Sequence, residues 1–110
     1  MIDYSEFKRI FYASSKTPGF CINFKDVDTE YIIIKYEDSI QFSRCGNNDA
    51  TVAYYPTLDE LMDADQVDDI NLRHDWDKIE RIYPEGYDGT FKMYCECNGI
   101  EYRGELINNA

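Results

Sequence analysis

Carboxylates, four cysteines and one histidine are the residues of this chain best suited to chemistry. Asp59, Glu60, Asp63, Asp65, Asp68, Asp69, Asp75, Asp77 and Glu80 crowd one stretch, in which Arg73 and Lys78 are the only formal cations. Carboxylates displayed at short intervals imitate a phosphate backbone. Such a stretch suits a groove lined by lysine and arginine, and it repels nucleic acid and anionic membranes. Trp76 lies within it, and Tyr54, Tyr55, Tyr83 and Tyr87 lie near it in sequence. Large aromatic side chains of this kind are the anchors that protein interfaces favour. The nine acids together with Trp76 are therefore the expected partner-binding set, and a basic protein surface is the expected partner. The competing reading is a solvated helix and loop whose acidity serves solubility alone.

Other chemistries find little support. His74 stands alone among acids, where an exposed polar residue or a local charge partner is a better reading than a general base. No nucleophile elbow, zinc-protease, P-loop or dinucleotide motif is present. The chain is accordingly read as non-enzymatic, with no catalytic residue, cofactor or metal. Asp26, Asp28, Glu30 and Glu37 match the first, third, fifth and twelfth positions of a calcium loop, but Tyr31 occupies the place that requires glycine. Among Cys21, Cys45, Cys95 and Cys97, only the last two are closely spaced, with one intervening residue where zinc pairs have two to four. Reduced, metal-free and mostly buried thiols are expected.

The elements that must position these residues fit one α+β domain spanning 1–110, since 110 residues at 44% hydrophobic content can bury a single core. Asp3 and Glu6 form a capping-box pattern, and Tyr4, Phe7, Ile10 and Phe11 follow at helical spacing, which predicts a helix over Tyr4 to Ala13. Thr17-Pro18-Gly19 ends it. Phe20 to Phe24, Tyr31 to Tyr36, Ser39 to Arg44 and Thr51 to Tyr55 are rich in β-branched and aromatic residues, and the links between them are of hairpin length, which predicts an antiparallel meander. Thr57 with Glu60 marks the start of a short central helix from Leu58 to about Ala64. Residues 76–83 fit either a helix or a strand, and strand is the preferred reading. Asn98-Gly99 between two extended runs, Thr90 to Cys97 and Ile100 to Ile107, predicts a C-terminal hairpin on a type I′ turn. In that register Cys97 faces Ile100, and Glu96 faces Glu101.

Charge divides unevenly along the chain. Residues 1–55 hold 8 acids and 6 bases, while residues 56–110 hold 14 acids and 5 bases, so −9 of the net −11 lies in the second half. No apolar run exceeds the four residues of Tyr31 to Ile34, a strand-sized length, and the acidic opening around Asp3 and Glu6 lacks the basic-then-apolar form of a signal peptide. A cytoplasmic location is expected. The stretch from Tyr55-Pro56-Thr57-Leu58-Asp59-Glu60-Leu61 through Asp68-Asp69-Ile70-Asn71-Leu72 to Trp76-Asp77-Lys78-Ile79-Glu80 resembles a recurring segment of small acidic proteins encoded by phages and mobile elements of Gram-positive bacteria. That class includes inhibitors of host defence nucleases, among them anti-CRISPR proteins that occupy nucleic-acid channels. The resemblance implies an inhibitor docking on a basic, nucleic-acid-binding surface and carries over no catalytic residue. An immunity protein that neutralises a toxin nuclease, or a structural or accessory protein of a mobile element, are the alternatives.

Overall fold

The computed structural model describes residues 2–14, 19–46, 53–87 and 89–103. The first helix, α1 (Tyr4–Ala13), has the predicted bounds, and the Asp3 carboxylate accepts the Glu6 backbone N–H at 2.8 Å. That bond satisfies one of the donors every helix start leaves without a partner. Phe7, Ile10 and Phe11 form the fully buried stripe of α1.

Five antiparallel strands follow among the described residues. They are β1 (Gly19–Phe24), β2 (Glu30–Lys35), β3 (Ile40–Arg44), β4 (Tyr54–Tyr55) and β5 (Ile79–Pro84), in the spatial order β4-β3-β2-β1-β5. The first four make the expected meander, and β5 returns to pair with β1 through Phe20 opposite Pro84 and Ile22 opposite Ile82. Alternation along each strand sorts the side chains onto two faces. Phe20, Ile22, Tyr31, Ile33, Ile40, Phe42 and Ile82 belong to the core face. Cys21, Ile32, Ser43 and Tyr83 take the opposite face by the same alternation. The core is closed by α1, by α2 (Leu58–Asp63) with Leu58, Leu61 and Met62, by α3 (Leu72–Asp75) with Leu72, and by α4 (Phe91–Cys97) with Tyr94 and Cys95. The fold is α+β, as expected. Among the described residues no helix is long and apolar enough to cross a membrane.

Local signals account for most of these elements. The Thr57 hydroxyl accepts the Glu60 N–H at 3.2 Å at the start of α2, as its capping pattern predicts. Residues 76–78 form a single 3₁₀ turn and the chain is extended from Ile79 onward, so the strand reading holds for most of that segment. Of the predicted strand over Thr51 to Tyr55, the pair Tyr54–Tyr55 is observed and 51–52 lie outside the described residues. Thr17-Pro18, Asn47-Asn48-Asp49 and 104–107 lie outside them as well.

The C-terminal hairpin is overturned. Residues 91–97 are α4, opened by the Thr90 hydroxyl, which accepts the Met93 N–H at 3.1 Å. Asn98-Gly99 closes the helix and does not turn a hairpin. The Ile100 N–H bonds the Cys95 carbonyl at 2.8 Å and the Gly99 N–H bonds that of Glu96 at 3.3 Å, the paired contacts of a Schellman cap. Gly99 at φ +68 supplies the left-handed residue that both motifs demand, which is why the dipeptide alone did not distinguish them. The deciding feature is the spacing of Phe91, Tyr94 and Cys95, which buries one side of a helix against Phe20. The expected pairs of Cys97 with Ile100 and Glu96 with Glu101 are therefore not cross-strand neighbours.

A Cβ at position 99 would meet no atom within 4 Å, so the cost of Gly99→Ala comes from the backbone alone. The variant is expected to lose about 1 kcal/mol of unfolding free energy, and Gly99→Asn a smaller amount, because asparagine tolerates the left-handed region. Denaturant midpoints of the three proteins measure the order; an alanine variant equal to wild type would remove the Schellman assignment.

Candidate functional site

Fold geometry divides the acidic stretch into two groups. Asp59, in the first turn of α2, accepts the Tyr4 hydroxyl at 2.5 Å and the Lys8 ammonium at 2.7 Å, both from α1. The Lys8 bond, then that of Tyr4, holds the Asp59 carboxyl below its ordinary range. Asp63, at the end of α2, bonds Arg73 of α3, whose guanidinium also lies over the Tyr4 ring at 5.2 Å. Asp65 bridges to Asn71, which caps α3 by accepting the His74 N–H at 3.1 Å. Asp75 accepts the Asn71 N–H at 3.0 Å and Lys78 at 3.2 Å.

Asp68 reaches furthest. Both its oxygens take N–H groups of Arg44, at the end of β3, and Oδ2 also accepts the Tyr31 hydroxyl at 2.6 Å. These bonds, Arg44 first and Tyr31 second, pull the Asp68 carboxyl down to about 2. Burial, then the bond to Asp68, pushes Tyr31 up to about 12. Asp68 and its neighbour Asp69 are both left-handed, at φ 60 and 59, a conformation that aspartate tolerates better than most residues.

Five of the nine acids thus serve the protein's own architecture. Glu60, Asp69, Asp77 and Glu80 are exposed, and their carboxylates make no hydrogen bond or ion pair among the described residues. Trp76 is half-buried and lines a groove as well as packing on the core. It packs on Tyr4 and Phe7 with ring centroids at 5.6 and 5.4 Å, and its indole N–H donates to the Ile2 carbonyl at 3.2 Å.

Two grooves that share Lys25 border Asp69, Asp77 and Glu80. The first, about 410 Å³, sets Asp3, Asp77 and Glu80 around a floor of Ile2, Trp76 and Ile79. The second, about 280 Å³, sets Asp68, Asp69 and Asp75 with Lys78 around Phe24, Val27 and Ile70. Glu60 lines neither groove. Val27 is an exposed apolar residue that the acidic pattern did not single out, and it lies between Asp26 and Asp28 in the turn after β1. The expected aromatic set disperses. Tyr54 is exposed beside Tyr36, Tyr55 packs on the core, Tyr83 donates to Glu30, and Tyr87 donates to the Cys97 thiol. His74 is exposed, with Nδ1 3.1 Å from Asp75.

A second constellation lies on the sheet face away from the core. The Cys21 and Cys45 sulfurs and a Glu30 carboxylate oxygen all stand within 4.8 Å of one another. Spacings of nine and fifteen residues carry no local motif; strand register brings the three together. The Cys45 N–H bonds the Glu30 carbonyl at 2.9 Å, Cys21 is opposite Tyr83 on β5, and the Tyr83 hydroxyl donates to Glu30 Oε2 at 2.5 Å. Burial, then the neighbouring Cys21, pushes the Cys45 thiol up to about 12, and burial raises Cys21 as well. Cys97, by contrast, is exposed on α4.

No family model, curated protein or solved structure matches the chain.

The Asp68 bonds carry a pH signature. A carboxyl that falls from about 4 in the unfolded chain to about 2 in the fold contributes stability that is complete above the higher value and is lost as pH drops through the lower. The stability difference between wild type and Asp68→Asn should therefore stay constant above about pH 5 and shrink toward about pH 2. Paired denaturant titrations across that range measure it; a difference independent of pH would show that the carboxylate charge contributes nothing.

Proposed function

We propose that this chain is a non-enzymatic, cytoplasmic binding protein whose acidic second half docks on the basic surface of a nucleic-acid-handling protein, as a phage-type, anti-CRISPR-like inhibitor of a host defence protein would. The observation that carries this reading is the pairing of unsatisfied carboxylates with apolar floors: Asp77 and Glu80 beside Trp76, and Asp69 beside Val27 and Ile70. A lysine or arginine side chain suits both parts, since its stem packs on the floor while its charge meets the rim. In the first groove the arginine plane can also stack on the exposed part of the Trp76 ring. The net charge of −11 adds a long-range field that speeds the approach of a basic partner.

This geometry selects the residues for the test. Asp68 and Asp75 are already bonded within the fold, so the informative set is Asp69→Asn, Asp77→Asn and Glu80→Gln combined. Glu37→Gln with Asp38→Asn is the control, because the turn between β2 and β3 lies at the opposite end of the sheet from Val27. The natural partner would be captured from host lysate at low salt and its association with each variant timed. The triple variant should associate several-fold more slowly with unchanged thermal stability, because exposed, unpaired charges contribute little to folding. Wild-type association should also slow as salt rises and the screening length falls below ~8 Å. Loss of binding in the control with none in the triple variant would overturn the reading.

A further inference from the structure

We infer that Cys21 Sγ, Cys45 Sγ and a carboxylate oxygen of Glu30 form a site for one zinc-class divalent ion that clips β1, β2 and the end of β3 together. The site is independent of the docking reading. Ligand atoms in tetrahedral array about zinc lie roughly 3.3–3.8 Å apart, given metal–sulfur and metal–oxygen lengths of about 2.3 and 2.0 Å. The three atoms here are already within 4.8 Å of one another, so small side-chain rotations complete the array. They come from adjacent hydrogen-bonded strands, which gives the site a rigid frame.

The donor set selects the ion. Two sulfurs favour zinc-like metals over magnesium or calcium, which take oxygen ligands. Tyr83 supplies the outer support such sites use, because its hydroxyl fixes one Glu30 oxygen at 2.5 Å and leaves the other for the metal. Both thiols lose their protons on binding, and those protons pass to solvent. With three protein ligands, the fourth position falls to water. Cys97 takes no part, being on α4 and bonded by Tyr87. This ligand set replaces the metal-free state expected for these thiols from their spacing.

Cobalt(II) titration of the folded, fully reduced protein tests the site, since thiolate ligation gives a charge-transfer absorption and tetrahedral geometry gives intense visible bands. One equivalent of Co²⁺ should bind and be displaced by Zn²⁺, and zinc should raise the melting temperature. Cys97→Ser should behave as wild type, whereas Cys45→Ser should lose about half the charge-transfer intensity, one thiolate of the two. Tyr83→Phe should weaken binding about 10–100-fold while keeping the spectrum. Should Cys45→Ser fail to fold, Glu30→Gln, which keeps an acceptor for Tyr83, decides by its loss of affinity. No uptake by folded wild type, uptake that survives both Cys45→Ser and Glu30→Gln, or uptake lost only in Cys97→Ser would each overturn the inference. Formation of a Cys21–Cys45 disulfide in air with no metal uptake under reduction would do the same.

Discussion

Phe20 is carried by β1, the strand flanked by β2 and β5, and its ring meets two helices at once. Phe7 and Phe11 of α1 approach it at 5.3 and 5.8 Å, and Phe91 and Tyr94 of α4 at 5.9 and 6.2 Å. Aromatic rings at such separations and tilted angles gain beyond the burial of their area. Helices from opposite ends of the chain thus converge on one side chain, and the sheet's core face is the one they cover. The position of the acidic connection follows, because α2, α3 and the turns between them complete the same layer. So does that of the thiols, since the residue next to Phe20 along the strand is Cys21, which alternation turns to the far face.

A surplus of negative charge has to be accommodated wherever that layer reaches water. The second half of the chain holds too few cations to do so alone, and Lys8 and Arg44 come from the first half to meet Asp59 and Asp68. Exposed ion pairs contribute little to stability one at a time. Their effect here is positional: Asp68 is fixed to the end of β3, and Asp69, the other member of the left-handed pair, is exposed with no partner for its carboxylate among the described residues. Residues that look equivalent in the sequence consequently differ in kind. Asp68 and Asp69 are neighbours, yet one belongs to the fold and the other to the surface.

This difference explains what the sequence made legible. Helix starts at Asp3 and Thr57 were readable because a capping bond joins residues three apart, so its signal is local. The meander was readable from strand composition and short links. Asn98-Gly99 misled because its local demand, a left-handed glycine, is met equally by a hairpin and by a helix cap, and only packing against Phe20 separates them. The packing of Trp76 was illegible for a similar reason, since Tyr4 and Phe7, which cover part of its ring, lie some seventy residues earlier. Cys21, Glu30 and Cys45 were illegible as a group because their proximity is a property of register across three strands.

The β2–β3 ladder ties the two constellations together. Tyr31 pairs with Arg44, and both turn toward Asp68. One residue away along each strand, Glu30 and Cys45 are joined by a backbone bond and meet Cys21 on the reverse face. Because side chains alternate with period two, one short piece of ladder holds the acidic connection on one side and the thiol–carboxylate cluster on the other. A slip of one residue in that register would exchange the two sets, burying Glu30 among aromatic rings and removing Arg44 from Asp68. The Tyr31–Phe42 stack, with centroids at 5.3 Å and planes only 10° apart, opposes the slip from the core side, since it forms only in the native register. The aromatic packing that holds the core therefore also sets the geometry of both polar clusters, and Tyr31 belongs to both the packing and the Asp68 cluster.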